Sequence, residues 1–318
     1  MRVRRAVSPA RVSLTAMEPL TSRYTPRRRT VLRLVLGPLV QGRTDPTIRH
    51  DADGWWLALR CASGTATLLL REGADAVEAR AWGDAAEEAL ASVPALLGAH
   101  DDDSGFEPGR HPLVARLHRE HPGLRLARTG RVLPALVPSV LGQKVTGIEA
   151  KSAWRQLVTR HGEPAPGPAP LGMRVVPTVA AWRRIPSWEW HRAGVGPQRS
   201  DTLMRVFAVA DALERTAALP SAEAGRRMRT VVGVGAWTVA ETVQRSHGDP
   251  DAVSVGDLHL CKRVGTALAG HRVDDDGMLE LLEPWRGHRQ RVVRLIEAAG
   301  IGYERHGPRL EIPAHRAR

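Results

Sequence analysis

The chain has 318 residues, enough for two or three domains with cores of their own, so neither disulfides nor a metal is needed to hold it together. Its formal net charge of +12, carried mainly by arginine, points to a polyanionic partner, and no apolar run approaches the roughly 20 residues of a membrane span. Two distant cysteines, Cys61 and Cys261, exclude a zinc ribbon or a four-cysteine iron–sulfur cluster on ligand count and fit a reducing cytoplasm.

Residues 1–26 are rich in arginine, contain Glu18 as their one acid and have no hydrophobic period, so a disordered basic arm is expected. Their composition resembles an organelle transit peptide, but an overextended reading frame with a start at Met17 is the preferred explanation. Residues 27–100 read as an α+β domain. Strands are expected over TVLRLVLGPL (30–39), WWLALRC (55–61), TATLLLRE (65–72) and VEARAW (77–82), separated by turn-forming DADG, ASG and EGAD, as an antiparallel sheet. One helix over 84–98, with Asp84 as its cap, should pack on that sheet. The acidic, glycine-containing 101–112 reads as a linker.

From 113 to 302 the period is helical. A helix through Pro138–Leu141 ends at Gly142, and Thr146-Gly-Ile-Glu149 forms a capping box that starts the next one, leaving Gln143 and Lys144 on an exposed junction. A Pro-rich loop (163–172) precedes short helices near 178–184 and 187–193, a longer one near 197–215 and another from Ser221 to Thr230. Beyond Asp257 come helices to about Leu268, near 275–283 and from His288 to Ala299, then a basic tail (303–318). The fold class expected is therefore mainly α with an α+β N-terminal domain.

Two features carry chemistry. Gly233-Val234-Gly235 is a tight turn between helical stretches, and its bare N–H groups at the start of the next helix suit a phosphodiester, although Gly-x-Gly is also an ordinary turn. Asp257 stands 22 residues beyond the turn. Spacing alone leaves it equally a member of a Ser254-Val-Gly-Asp257 capping box and a functional carboxylate.

The series LVPSVLGQKVTGIEAKSAW (136–154), VVGVGAWTVAE (231–241), GDPDAVSVGDLHLCKR (248–263) and EPWRGHRQRVV (283–293) resembles the helix-hairpin-helix DNA glycosylases, in particular the 3-methyladenine DNA glycosylase II branch. The resemblance runs from about His111 to Gly300, and the sheet-rich first part also looks like that branch's first domain. It implies a monofunctional base-excision enzyme acting on alkylated bases in double-stranded DNA, as a monomer in the nucleoid-containing cytoplasm and without an organic cofactor or metal beyond a monovalent cation at hairpin carbonyls. Asp257 would be the catalytic carboxylate, and Gly233, Val234, Gly235, Trp237 and Thr238 would hold the DNA backbone. Superfamily members that also cut the strand carry a Schiff-base lysine where this chain has Trp237, which is open to core packing or base contact. Lys144, beside Gln143, takes the position of the wedge that fills the gap left by a flipped base; phosphate binding, insertion of its aliphatic stem and plain exposure stay open. Glu241 and Arg294 align with aromatic pocket positions, as an ion pair or as two solvated helix residues. The alternatives to this activity are a non-catalytic DNA-binding relative and a glycosylase for oxidised or deaminated bases.

Overall fold

The computed structural model describes residues 18–303. An antiparallel sheet of β1 (Leu20–Tyr24), β2 (Ile48–Asp51), β3 (Gly54–Cys61), β4 (Gly64–Glu72) and β5 (Val77–Trp82) has the spatial order β1-β5-β4-β3-β2. Because side chains alternate along a strand, it has two buried faces. Trp55, Leu57, Leu68, Leu70 and Ala79 pack against α1 (Leu32–Leu36), α2 (Ala86–Ala91) and α3 (Val93–Leu96). Trp56, Ala58, Leu69 and Trp82 meet Met173 and Val175, which arrive from the far side of the Pro-rich loop. That loop is closed at its ends by a short ladder of β6 (Glu163–Pro164) and β7 (Arg174–Val175).

Several expectations for this region are corrected. Residues 20–24, assigned to the arm, form an edge strand paired with β5. The stretch 30–39 is α1 followed by a 3-10 turn (Gly37–Leu39), not a strand. Leu32, Val35 and Leu36 enter the sheet core while Leu34 enters a helical one, so burial on all sides erases any readable period. β2 supplies the missing strand. Asp84 does not cap: the N-cap residue is Ala85, and Glu88 instead accepts the amides of Ala62 and Ser63 in the preceding turn. The first 17 residues of the arm, and the tail beyond Tyr303, lie outside the described residues.

The helical part has two lobes. One contains α5 (Leu133–Leu141), α6 (Gly147–His161), α7 (Val179–Arg184), α8 (Ser187–Arg192), α9 (Pro197–Ala208), α10 (Ala210–Glu214), α11 (Ser221–Met228) and α12 (Ala236–Ser246), around Leu136, Trp154, Leu203 and Phe207. The other joins α4 (Pro112–Glu120) to α13 (Leu260–Ala269), α14 (Asp275–Leu282) and α15 (Arg289–Ala298), around Leu117, Val264, Met278 and Ile296. The capping box forms as expected at Thr146 and Glu149. The expected helix over 197–215 is broken at Val209. The linker proves to be a structural node: Asp101 is buried, pairs with Arg291 through two bonds of 2.6 and 3.0 Å, and accepts the Leu126 amide at 3.1 Å.

Candidate functional site

The hairpin between α11 and α12 is built as glycine chemistry requires at one position and not at the other. Gly233 has φ +97°, and a Cβ there would lie 2.2 Å from Thr202 Oγ1, so both the conformation and the packing forbid a side chain. Gly235, the N-cap of α12, has an ordinary φ of −93° and open space where a Cβ would stand. At Gly235 only an approaching ligand would object to a side chain. No protein group accepts the amides of Ala236, Trp237 and Thr238 among the described residues, which leaves the positive end of α12 bare. The carbonyl oxygens of Arg229 and Val234 accept no hydrogen bond there either, so main-chain donors suited to a monovalent cation are present at this turn. Val232 projects beside them, 71% exposed.

A chain of contacts connects this turn to Asp257. Gln143 donates from Nε2 to the Gly233 carbonyl and to Thr238 Oγ1, both at 2.9 Å, and so ties the α5–α6 junction to the hairpin. The Gly142 backbone lies against the Trp237 indole. Trp237 Nε1 donates to Asp257 Oδ2 at 3.3 Å, while Oδ1 accepts the amides of His259 (2.8 Å) and Leu260 (2.9 Å) at the start of α13. All three donors to the carboxylate are uncharged, so it is oriented without being neutralised. His259 in turn shares a hydrogen bond with the Tyr303 hydroxyl.

Asp257 lines a cavity of about 290 Å³, near the lower end of small-molecule sites, which run from about 300 to 1,000 Å³. Gln290, Val293, Arg294 and Glu297 form one wall at the i, i+3, i+4 and i+7 positions of α15, and Glu241, Gln244 and Arg245 of α12 form another. Val35, Pro38 and Leu39, from the segment expected to be a strand, complete it. The wall charges are largely paired among themselves: Glu241 with Arg245 (3.0 Å), and Glu297 with both Arg263 (3.1 Å) and Arg294 (2.6 Å).

Glu241 and Arg294 therefore both line the cavity, but they pair with Arg245 and Glu297, not with each other and not with solvent alone. Trp237 lies outside the cavity lining; its indole orients the carboxylate. Thr238 is buried with its hydroxyl engaged by Gln143, so only its backbone N–H is offered outward. Gln143 is likewise bonded to the hairpin and is not a bare junction residue. Lys144 is exposed with φ +54°, the one positive φ outside glycine among the described residues. The Ser254 capping box does not form, because the Ser254 hydroxyl bonds Glu241 and accepts from Gln244 (2.9 Å). Gln244, Arg263, Gln290 and His259 escaped the sequence reading, although helical spacing from Glu241 and Arg294 reaches the two glutamines.

No family model matches the sequence, and no curated protein sequence does. Solved structures do. The 3-methyladenine DNA glycosylase of Archaeoglobus fulgidus matches with a TM-score of 0.72 at 14% identity, over 87% of this chain and 97% of that one. The 8-oxoguanine glycosylase/lyase of Clostridium acetobutylicum in its apo form gives 0.67 at 14%, over 88% and 97%. The same enzyme bound to double-stranded DNA with cytosine opposite 8-oxoguanine gives 0.64 at 14%, over 90% and 99%. At such identities the likeness is one of fold.

Proposed function

Since the chain has the helix-hairpin-helix DNA glycosylase fold, we propose that it is a monofunctional DNA glycosylase of base-excision repair, with Asp257 as its catalytic carboxylate. The observation that carries this reading is the Asp257 side chain itself, set in the cavity wall and held by three neutral N–H donors. A flipped nucleotide puts its base in the cavity and its sugar beside that carboxylate. As the N-glycosidic bond breaks, its electron pair leaves with the base and positive charge grows on the sugar, where the fixed carboxylate stabilises it. Water adds to C1′ and gives up one proton: a cationic alkylated base leaves as the neutral base and that proton passes to solvent, whereas a neutral base leaves with the electron pair and takes up one proton from solvent on the nitrogen that left. An abasic site remains.

The bare amides of α12 and the Gly233–Gly235 turn would hold the DNA backbone, with the main-chain oxygens of Arg229 and Val234 available to a monovalent cation that would only brace the turn. No organic cofactor enters this chemistry. With Trp237 in place of a Schiff-base lysine, strand cleavage is not part of the reaction. Alkylated bases of the 3-methyladenine type are the guests the resemblance implies. The cavity lining favours a second reading, an oxidised or deaminated base, because among the described residues His259 is its one aromatic ring and neither an indole nor a phenol lines it for cation–π contact.

The test is incubation of the purified protein with alkylated, oxidised and deaminated duplexes, with released bases identified by mass spectrometry. Base release abolished by Asp257→Asn is expected. Tight duplex binding with no release from any substrate would establish the rival, a DNA-binding protein without catalysis.

A further inference from the structure

Asp257 stands near the end of a long connection without helix or strand, since α12 ends at Ser246 and α13 begins at Leu260. The first half of that connection is tied to its neighbours: Gln244 donates to the Ala252 carbonyl at 2.8 Å, and Asp251 accepts from Arg289 and from the Gly287 amide. The second half is held far less. The Val255 and Asp257 amides bond back to Val253 and Ser254 within the turn itself, and Gly256 alone among the three amides reaches another element in the described residues. Its N–H donates to Asp275 Oδ2, in the first turn of α14, at 2.9 Å. Gly256 has φ +89°, and glycine loses more conformational freedom on ordering than any other residue, so the turn beside the proposed catalytic acid depends on an outside restraint. We propose that Asp275 is a positioning residue for base excision: by holding the Gly256 amide it fixes the turn that presents Asp257, and so sets how that carboxylate meets the sugar. This rests on the glycosylase reading and adds a residue to it.

Three features set Asp275 apart from an ordinary helix-start acid. The cap of α14 is Asp274, which accepts the Gly277 amide at 2.9 Å, so Asp275 is not needed to hold its own helix. Its Oδ1 is shielded from solvent without a hydrogen-bond partner among the described residues, a costly placement that the positive end of α14 offsets only in part. The platform it stands on is also stiff: Gly265 of α13 approaches the chain ahead of α14 so closely that a Cβ would lie 2.8 Å from the Val273 nitrogen. Asp275 is absent from the cavity lining, so it acts on the reaction through Asp257 and not by touching the base.

The experiment measures single-turnover release from duplexes carrying 7-methylguanine, hypoxanthine or 8-oxoguanine, together with duplex affinity and melting temperature. Wild type is compared with Asp275→Ala, Asp275→Asn and, as a control for charge at the same helix end, Asp276→Ala. Asp275→Ala should slow release roughly 10- to 100-fold, the cost of a misplacement of about an ångström, with affinity within a few-fold of wild type. Asp275→Asn, whose amide oxygen can still accept the Gly256 N–H, should recover most of that loss, and Asp276→Ala should release normally. In an Asp257→Asn background Asp275→Ala should cost nothing further, because no carboxylate is left to position. Asp275→Leu, close to Asn in shape but without an acceptor, carries the same test if the alanine variant melts too low to assay. Wild-type release by the alanine and leucine variants, equal losses in alanine and asparagine, or an undiminished loss in the Asp257→Asn background would each overturn the inference and leave the glycosylase standing. No release of any base by wild type, or full release by Asp257→Asn, would remove the reading of Asp257, and this inference with it.

Discussion

Asp257→Asn separates the charge of the proposed catalytic group from its shape. The amide oxygen can continue to accept from the His259 and Leu260 amides, so the start of α13 keeps its cap. The new –NH₂ takes the place of Oδ2 and meets the Trp237 Nε1–H, donor against donor, which removes one hydrogen bond worth about 1 kcal/mol. In a protein of this size that lowers the melting temperature by about 1–2 °C. The catalytic loss is larger. A carboxylate about 4 Å from a developing sugar cation, at an effective dielectric near 20, stabilises it by about 4 kcal/mol. At 1.36 kcal/mol per decade, that is roughly a thousandfold in rate. Single-turnover base release, duplex affinity by fluorescence anisotropy and thermal melting are measured together. The expected pattern is release down about a thousandfold, affinity within a few-fold of wild type, and a small drop in melting temperature. Release within tenfold of wild type would refute the argument, because the charge at Asp257 would then contribute less than about 1.4 kcal/mol to the rate.

The two hairpin glycines should behave differently. Gly233→Ala, which meets Thr202 and a positive φ, should lower the melting temperature and weaken DNA binding together, whereas Gly235→Ala should melt like wild type and lose affinity for damaged and undamaged duplex alike; equal stability losses in both would contradict the geometry. Borohydride should trap no protein–DNA adduct, and strand breaks should appear only after alkali, since Trp237 stands where an amine would be needed; a trapped complex surviving blockage of the N-terminal amine would redirect attention to Lys144, Lys151 or Lys262. Burial works against the Asp251 carboxylate, but its hydrogen bonds with Arg289 and the Gly287 amide outweigh it and hold the pKa below the usual Asp value. A depressed carboxylate stabilises the fold above its unfolded pKa and loses that contribution as pH falls through the folded value. The melting-temperature gap between wild type and Asp251→Asn should thus be full near neutrality and close below about pH 4; a gap independent of pH would show that the charge is not what matters there.

The features legible in the sequence are those that neighbouring residues decide among themselves. The Thr146–Glu149 capping box, the Gly142 stop, the hairpin at Gly233–Gly235 and the strands over 55–82 each depend on local backbone geometry or on a period of two, and all appear. Asp257 was located in the chain by local spacing, but two local roles were equally open to it. What no local pattern encodes are the Trp237 indole from α12 that meets its carboxylate and the packing that places α15 opposite. The same holds for Asp101, whose partner Arg291 lies 190 residues away, so an acidic stretch that reads as a linker becomes a buried anchor. The run 30–39 could not be told from a strand because tertiary burial surrounds it on all sides, and its Val35, Pro38 and Leu39 then help to wall the cavity. A cavity is the space left between elements distant in the chain. The sequence therefore supplied its residues one at a time, and only the packing of α1, α12 and α15 around Asp257 made them a site.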